Sequence, residues 1–239
     1  MTTLGLALPE NIDPAEVDFV KPSRILDAGI YDAIIETAYT GVSSGGAISL
    51  TVNFKTATNQ FLNQVIYLTS GTAKGKKTTY TDKRDGSEKA LPGFVLGNSL
   101  ALAASGKAIG VLESVEKMVS IFNYDLKKDV PTKVPMLMDL VGKHVKLGVI
   151  KQIVDRNVKN NAGIYVPSGE TREENDIDKV FTEDGFTSTE IAAKATEPAF
   201  INTWEKTNKG EVRNRSKGAS SSNGAVAGSP VAPPSLFNK

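Results

Sequence analysis

The chain has 239 residues, of which 40 % are hydrophobic, and its 28 basic and 27 acidic side chains give a formal charge of +1. This composition predicts a globular domain with a substantial core and excludes a polycation that binds nucleic acid through every face. The absence of cysteine excludes disulfides, thiolate zinc sites, iron–sulfur clusters and cysteine nucleophiles.

The first elements in chain order are a lead-in segment and three strands. Residues 1–24 contain three prolines and little hydrophobic periodicity, so we expect a loosely ordered segment that is not a secretory leader. Alternation of apolar and polar residues predicts strands in GIYDAIIETAYTG, ISLTVNF and LNQVIYLTS. The first strand is expected to place on one face Tyr31, Ala33, Ile35 and Tyr39. The second is expected to place on its core face Ile48, Leu50, Val52 and Phe54.

Helical and extended patterns alternate in the rest of the chain. The expected elements are a short buried helix over 95–105, a strand in EKMVSIFNY, a helix in VPMLMDLVG, a strand in HVKLGVIKQIVD, and a helix over 187–208 that breaks near Pro198. Five or six short strands with inserted helices predict a mainly β, α+β fold, such as a small barrel. We place this domain at residues 25–205.

Residues 71–90, which we call the basic loop, concentrate positive charge in a nearly neutral chain. Three acids face six bases, which are Lys74, Lys76, Lys77, Lys83, Arg84 and Lys89. The segment is rich in glycine and polar residues, which predicts a long exposed loop or a splayed hairpin. Two interpretations remain open at this point, a solvated connector and a site for an anionic partner.

Aromatic residues near the basic loop favour one kind of anion. Tyr80 lies inside the loop, and Tyr39, Phe61 and Tyr67 lie on or beside the predicted strands. Lysines pair with phosphates while aromatic rings stack on unpaired bases, a combination suited to single-stranded nucleic acid. Phe54 also lies nearby, but its place on the apolar face of its strand predicts a core residue.

Other candidate chemistry is weak in this sequence. GTAKGKK lacks the glycine spacing and the Ser or Thr after lysine that a phosphate-binding loop requires. His144 is the only histidine and has no nucleophile signature beside it, which predicts a surface or structural role. The acids between Glu170 and Asp178 match no calcium loop, so we expect a solvated charged turn or helix start. We therefore expect no catalytic residue, no metal and no cofactor.

Several segments together resemble the single-stranded-DNA-binding proteins of tailed bacteriophages, in particular the podovirus type. The resemblance covers roughly residues 28–239, and the segments that carry it are GVSSGGAISLTVNF, KGKKTTYTDKRDGSEKALPGF, EKMVSIFNYDLKKDVPTKVPMLMDLVGKHVKLGVIKQ, GIYVPSGETREENDIDKVF and a Gly/Ser/Pro tail that ends in SLF. It implies an OB-fold, a five-stranded Greek-key barrel. It also implies a non-catalytic protein that coats and protects single-stranded DNA during phage DNA replication, recombination and repair, in the cytoplasm of the infected bacterial host.

The C-terminal region departs from a common pattern among such proteins, an acidic tail with an aromatic tip. Residues 206–239 are expected to form a basic arm and a disordered tail, because Gly, Ser, Ala and Pro dominate after residue 217. The last 22 residues contain no acid but keep the apolar pair Leu236 and Phe237. This pair is expected to contact phage or host replication proteins, although docking of the tail by negative charge is in doubt.

The main hypothesis from the sequence is a single-stranded-DNA-binding protein with little sequence preference. The residues expected to bind DNA are Lys74, Lys76, Lys77, Tyr80, Lys83, Arg84, Tyr39 and Tyr67. A homo-oligomer is compatible with the sequence, and no membrane partner is expected. Two rivals remain, a virion or scaffold protein whose basic loop contacts another subunit, and a metal-dependent nuclease that uses the acids of residues 170–178.

Overall fold

The structure is a computed structural model that describes residues 25–123, 126–160 and 165–216. The expectations for residues 1–24 and for the tail with Leu236 and Phe237 lie outside these residues. The described part contains ten strands, β1 (Gly29–Val42), β2 (Ile48–Thr56), β3 (Phe61–Tyr67), β4 (Thr79–Thr81), β5 (Glu88–Ala90), β6 (Ser114–Asn123), β7 (Lys128–Leu137), β8 (His144–Lys159), β9 (Tyr165–Thr182) and β10 (Val212–Asn214). Its α-helices are α1 (Pro92–Ser105), α2 (Ser188–Ala192) and α3 (Phe200–Asn208).

Eight of the strands form one large, mostly antiparallel sheet. β1, β2 and β3 are a meander, β1 also pairs with β8, and β8 pairs with β9 along most of its length. β10 adds in parallel to β8, and the β6–β7 hairpin joins β1 at Tyr39 opposite Met136. β4 and β5 form a separate two-stranded sheet. The prediction of a mainly β fold with inserted helices is confirmed, although there are more strands than the five or six expected.

The sheet curves until β9 meets the edge strand β3. The side-chain Nε2 of Gln64 on β3 donates to the Asp176 carboxylate at 3.0 Å, and the side-chain Oε1 of Gln64 accepts from the backbone N–H of Ile177 at 3.4 Å. One side-chain amide therefore bridges the seam between the two strands. This curvature encloses the core.

The core lies between the inner faces of the strands and α1. The largest fully buried side chains include Phe54, Leu50, Ile35 and Leu147, and α1 adds Leu100. The predicted core face of β2 is thus confirmed for Leu50, Val52 and Phe54, but Ile48, at the start of the strand, is 38 % exposed and does not belong to the core. The helix expected over 95–105 also forms, but it begins earlier, at Pro92, because proline fits the first turn of a helix.

α1 approaches the end of β3 very closely. A Cβ atom on Gly93 would lie only 2.1 Å from the carbonyl oxygen of Tyr67. Only glycine lets the two backbones meet at this distance. The start of α1 is therefore held against the same end of β3 from which the basic loop leaves.

A bulge in β1 changes one predicted face. The register against β2 shifts between Ile35 and Thr37, so Glu36 is the extra residue of the bulge. Ala38 is consequently buried, and Tyr39 points to the opposite side from Ile35. The prediction that Tyr39 shares a face with Ala33 and Ile35 is wrong, because uninterrupted alternation does not hold across the bulge.

Two segments that were predicted as helix or turn are strands. The VPMLMDLVG segment was expected to be a helix, but its first part belongs to β7, which pairs with β6 over ten residues. The acids of residues 170–178 were expected in a turn or helix start, but they lie in β9 along β8. In both cases pairing with the preceding strand of a hairpin overrides the local pattern.

The basic arm expected from residue 206 is largely folded. α3 continues to Asn208, and β10 then pairs in parallel with β8. Trp204 is buried, as expected for a helix that packs back on the domain, and its indole N–H donates to the Asp178 carboxylate at 2.7 Å. The folded unit therefore extends past the predicted boundary at residue 205.

α2 and α3 are joined by the carboxylate of Glu190. It accepts hydrogen bonds from the Thr187 hydroxyl and from the backbone N–H groups of Thr187, Ala199 and Phe200. Burial, the largest single influence, raises the pKa of Glu190, but these hydrogen bonds together lower it below the ordinary value.

No helix within the described residues is both long and apolar enough to cross a membrane.

Candidate nucleic-acid interface

The side of the β1–β2–β3 meander that faces away from the core, which we call the outer face, is exposed on β3 and half-buried on β1 and β2. Strand alternation places on it every second residue of each strand. Its members are Thr37 and Tyr39 on β1, Thr51, Asn53 and Lys55 on β2, and Phe61, Asn63, Val65 and Tyr67 on β3. The register sets Tyr39, Thr51 and Val65 side by side across the three strands.

Two aromatic rings stand exposed at the two ends of β3. Phe61 is 66 % exposed and Tyr67 is 54 % exposed, although both are large apolar side chains. They are six positions apart, which corresponds to about 20 Å along a strand. The Lys55 ammonium lies 5.8 Å from the centre of the Phe61 ring, so a cation already contacts an aromatic face at one end.

A ladder of neutral polar side chains crosses the middle of the outer face. The Asn63 amide donates to the Asn53 amide oxygen at 2.6 Å, and the Asn53 amide donates to the Thr37 hydroxyl at 2.7 Å. These bonds hold the side chains flat along the sheet. The middle of the face therefore carries hydrogen-bonding groups without a negative charge.

The first half of the basic loop is anchored at the Tyr67 end of this face. The Thr72 N–H donates to the Gly45 carbonyl in the β1–β2 turn at 2.8 Å, and the Lys77 N–H donates to the Ser70 hydroxyl at 2.9 Å. A Cβ atom on Gly71 would lie 2.7 Å from the Gly45 oxygen, so the loop and the turn touch through their backbones. Lys74, Lys76 and Lys77 thus project from a fixed turn beside the sheet.

The second half of the basic loop is the β4–β5 hairpin. Its base is closed by a hydrogen bond from the Leu91 N–H to the Thr78 carbonyl, directly before α1. Tyr80 is 42 % exposed and lies opposite Lys89 in the hairpin. The expectation of an exposed loop or splayed hairpin is therefore confirmed.

One of the six bases in this loop is neutralised by the loop itself. The Lys89 ammonium forms ion pairs with Asp82 and, at 3.4 Å, with Asp85. The hydrogen bond with Asp82 raises the pKa of Lys89, and the same bond lowers the pKa of Asp82. Hydrogen bonds from Ser87 lower the pKa of Asp85.

The remaining five bases keep their charge for other partners. Within the described residues, no ion pair involves Lys74, Lys76, Lys77, Lys83 or Arg84. All five lie in exposed positions. The structure therefore brings together, at one end of the meander, Tyr67 and the loop segment that carries Lys74, Lys76 and Lys77, with Tyr39 on the same face. Lys83, Arg84 and Tyr80 lie on the separate β4–β5 hairpin.

Sequence reasoning missed Lys55 and Phe61 as members of this surface. The signal was present, because the alternation that buries Phe54 turns Lys55 outward, and the register places Phe61 directly opposite Lys55. The interpretation considered Phe61 only as a neighbour of the strand. Its pairing with Lys55 depends on the β2–β3 register.

The β8–β9 hairpin carries a second exposed aromatic with a cation. The Lys159 ammonium lies 5.4 Å from the centre of the exposed Tyr165 ring. Most acids of β9 face basic partners, as in the pairs Arg156–Glu170, Lys151–Glu173 and Arg172–Glu174.

In the described part of the chain no three His, Asp or Glu side chains come together as ligands for a metal ion. His144 is exposed at the start of β8, as expected for a surface histidine.

The chain was compared with protein-family models and with curated proteins. No family model matches it, and no curated protein matches it. The assignment of a function therefore depends on the geometry of the outer face and the basic loop.

Proposed function

We propose that this protein binds single-stranded DNA across the outer face of β1–β3, with the basic loop holding the DNA backbone. The observation that carries the proposal is the position of the exposed Tyr67 ring beside cations that have no ion pair within the described residues, on a face that also presents the exposed Phe61 ring. Large exposed apolar side chains in a row usually mark a binding surface. Adjacent free cations select an anionic partner, and a nucleic acid strand offers both bases and phosphates.

Unpaired bases fit this surface better than a duplex does. Rings of Phe61, Tyr67 and Tyr39 offer flat faces on which bases stack, and each stacked base contributes about 1 to 3 kcal/mol. A double helix hides the faces of its bases, so it would use only the cations. Since every base has such a face, the protein should show little sequence preference.

The strand order supports the finer proposal of an OB-fold. A path runs from β3 through β2, β1 and β8 to β9, and Gln64 links β9 to β3 again. α1 stands between the meander and the later strands in the sequence, and it packs against β3 and β9. A five-stranded barrel of this kind commonly binds oligonucleotides on the face of its second and third strands. In this chain that face carries Lys55, Phe61 and Tyr67.

The role that the sequence resemblance implies is part of the proposal. The protein would coat exposed single strands without cleaving them during phage DNA replication, recombination and repair. Its outer face and basic loop hold the strand, and its C-terminal residues contact replication proteins.

The deciding experiment measures fluorescence anisotropy of labelled oligo(dT) and of a duplex of equal length. We expect strong preference for the single strand, and if about four phosphates are contacted, log affinity should fall with log salt at a slope of roughly −3. Equal binding to both, or no binding, would contradict the proposal. The second result would favour the virion or scaffold protein, and cleavage on addition of magnesium would favour the nuclease.

A further inference from the structure

The β6–β7 hairpin, which we call the ribbon, projects from the large sheet. Its two strands pair from Ser114 opposite Leu137 to Asn123 opposite Lys128, a length of about 30 Å. Within the described residues its one strand pairing with the rest of the sheet is that of Met136 with Tyr39. All residues of 117–122 and 126–133 are exposed or half-buried. Most of the ribbon therefore lies outside the packed core.

One side of the ribbon continues the outer face of the meander. Residues directly opposite each other on paired strands share a face, so Met136 stands on the same side as Tyr39. Side-chain alternation from Met136 then places Val134 and Lys128 on this side of β7, and Val134 lies opposite Lys117 on β6. We call this the front side of the ribbon. It extends the proposed DNA surface beyond β1 by two strands.

The charges of the ribbon are divided between its two sides. Glu116 and Asp129 lie on the back side, because each is adjacent in sequence to a lysine of the front side. Glu116 forms an ion pair there with Lys133 at 3.4 Å. Lys117 and Lys128 are exposed, and neither forms an ion pair with a described residue. Among its described residues the front side therefore presents two uncompensated bases and no acid.

The two front-side lysines lie at different distances from the outer face. Neighbouring strands are about 4.8 Å apart, so β6 runs about 10 Å from β1, and Lys117 lies two positions beyond the level of Tyr39. Lys128 is eight positions from Met136, which corresponds to about 26 Å along β7. A DNA strand that leaves the outer face at Tyr39 would meet Lys117 first, and only a longer strand would reach Lys128.

We propose that the front side of the ribbon binds the phosphate backbone of DNA that continues past Tyr39, through Lys117 near the sheet and Lys128 near the far end. This inference rests on the proposed function, because it extends the same DNA path. Lysine ammonium groups neutralise phosphates and release their counterions, which is favourable at low salt. The front side carries no aromatic ring among its described residues, so it adds charge without stacking. The ribbon therefore strengthens the binding of long DNA and leaves the binding of short strands unchanged.

The test compares two lengths of labelled oligo(dT) by fluorescence anisotropy with the full chain. A strand of about 8 nucleotides lies within the range of about 4 to 16 that one OB-fold covers, and a strand of about 20 exceeds it. The double variant is Lys117→Gln with Lys128→Gln. Its lysines stand about 20 Å apart along the ribbon, so we expect about one phosphate contact to be lost on average. With the longer strand, the salt slope should become shallower by about 0.7 and affinity should fall roughly eightfold at about 50 mM salt.

Two controls accompany this measurement. The double variant should bind the short strand within about twofold of the original protein, because that strand does not reach the ribbon. Arg156→Gln with Arg172→Gln removes the same charge from the β8–β9 hairpin, and it should change the affinity for the longer strand by less than about threefold. A circular dichroism melt of each variant confirms that folded proteins are compared.

A second ligand shows which form of the backbone the ribbon binds. In it, the nucleotides added to the short strand are replaced by duplex DNA. A loss of affinity with either extension, absent with the short strand, supports the proposal and identifies that form. Equal losses with short and extended ligands would overturn it, because the lysines would then act only through the overall field of the protein, and so would no loss with any ligand. If the original protein bound neither oligo(dT), the proposed function would fail, and this inference with it.

Discussion

The basic loop and the β8–β9 hairpin are both rich in charge, yet they present it in opposite ways. Arg156, Lys151 and Arg172 on the hairpin each face a carboxylate across or along the strands. In the basic loop only Lys89 is paired, and within the described residues five other bases lack an ion pair. Exposed pairs contribute little to stability, but they leave the local field nearly neutral.

This difference shows that the arrangement of acids, more than the number of bases, creates an anion site. Both segments also carry an exposed aromatic residue, Tyr80 in the loop and Tyr165 in the hairpin. Only the loop lies beside a sheet face with further rings, those of Phe61 and Tyr67.

Neutralising two loop lysines should have the largest effect. The double variant Lys76→Gln and Lys77→Gln should bind oligo(dT) roughly 50-fold more weakly at about 50 mM salt, and its salt slope should become shallower by about 1.4. Titrations at several salt concentrations measure both quantities. The matched control, Arg156→Gln with Arg172→Gln, removes the same charge from the hairpin and should change affinity by less than about threefold. Equal losses of affinity in the two double variants would show that the bases of the hairpin contribute to DNA binding as much as those of the basic loop.

Removal of a ring from the outer face should have the next largest effect. Tyr67→Ala should weaken binding roughly tenfold, with an almost unchanged salt slope, because stacking does not involve release of counterions. Tyr67→Phe keeps the ring and should bind nearly as well as the original protein. Since Tyr67 is exposed, the melting temperature should hardly change. A loss of affinity that disappears at high salt would show that Tyr67 acts through the charge of the loop.

Freeing the one paired lysine of the loop should strengthen binding. In Asp82→Asn with Asp85→Asn, the Lys89 ammonium loses both partners, so the salt slope should steepen by about 0.7 and affinity should rise several-fold at low salt. The control Glu173→Gln with Glu174→Gln makes the same change in net charge on β9 and should have little effect.

The same ion pairs determine the pH dependence of this effect. The pKa of Asp82 and of Asp85 is lowered, so both carboxylates stay ionised as the pH falls from 7 to 5. Lys89 therefore stays paired over this range of pH. Acidification should not raise the affinity for oligo(dT) as the double substitution does. Tighter binding of the unaltered protein at pH 5 than at pH 7, absent from the double variant, would contradict this account.

The smallest effect is expected at Tyr165, the residue of the hairpin that most resembles the outer face. Tyr165→Ala should weaken binding by less than about threefold, because the charges near its strand are mostly paired. The measurement is the same oligo(dT) titration, repeated with a longer oligonucleotide. A tenfold loss of affinity that is seen only with the longer oligonucleotide would show that long strands also contact the β8–β9 hairpin. The difference between the basic loop and the hairpin would then hold only for short strands.

The predictable parts of this fold depend on local periodicity. From Leu50 onward β2 alternates without interruption, so the burial of Leu50, Val52 and Phe54 followed from the sequence. The β1 bulge at Glu36 carries no local signal and reversed the side on which Tyr39 lies. The segment at 134–142 has apolar residues at helical spacing, yet its first part pairs with β6. The charged run of β9 has few apolar residues before Ile177 and is a strand because β8 lies beside it.

The amino-acid sequence alone establishes which chemical groups are available, namely a cluster of bases, several aromatic rings near the strands, and no cysteine. It also determined the alternation that divides core from surface in β2 and β3, because this pattern repeats every two residues. The packing of the folded chain pairs Lys89 while Lys76 and Lys77 have no ion pair within the described residues, and it anchors the loop beside Tyr67. The two kinds of feature differ in range, because side-chain alternation is a property of neighbouring residues, whereas ion pairs and contacts between strands depend on how separate segments pack together.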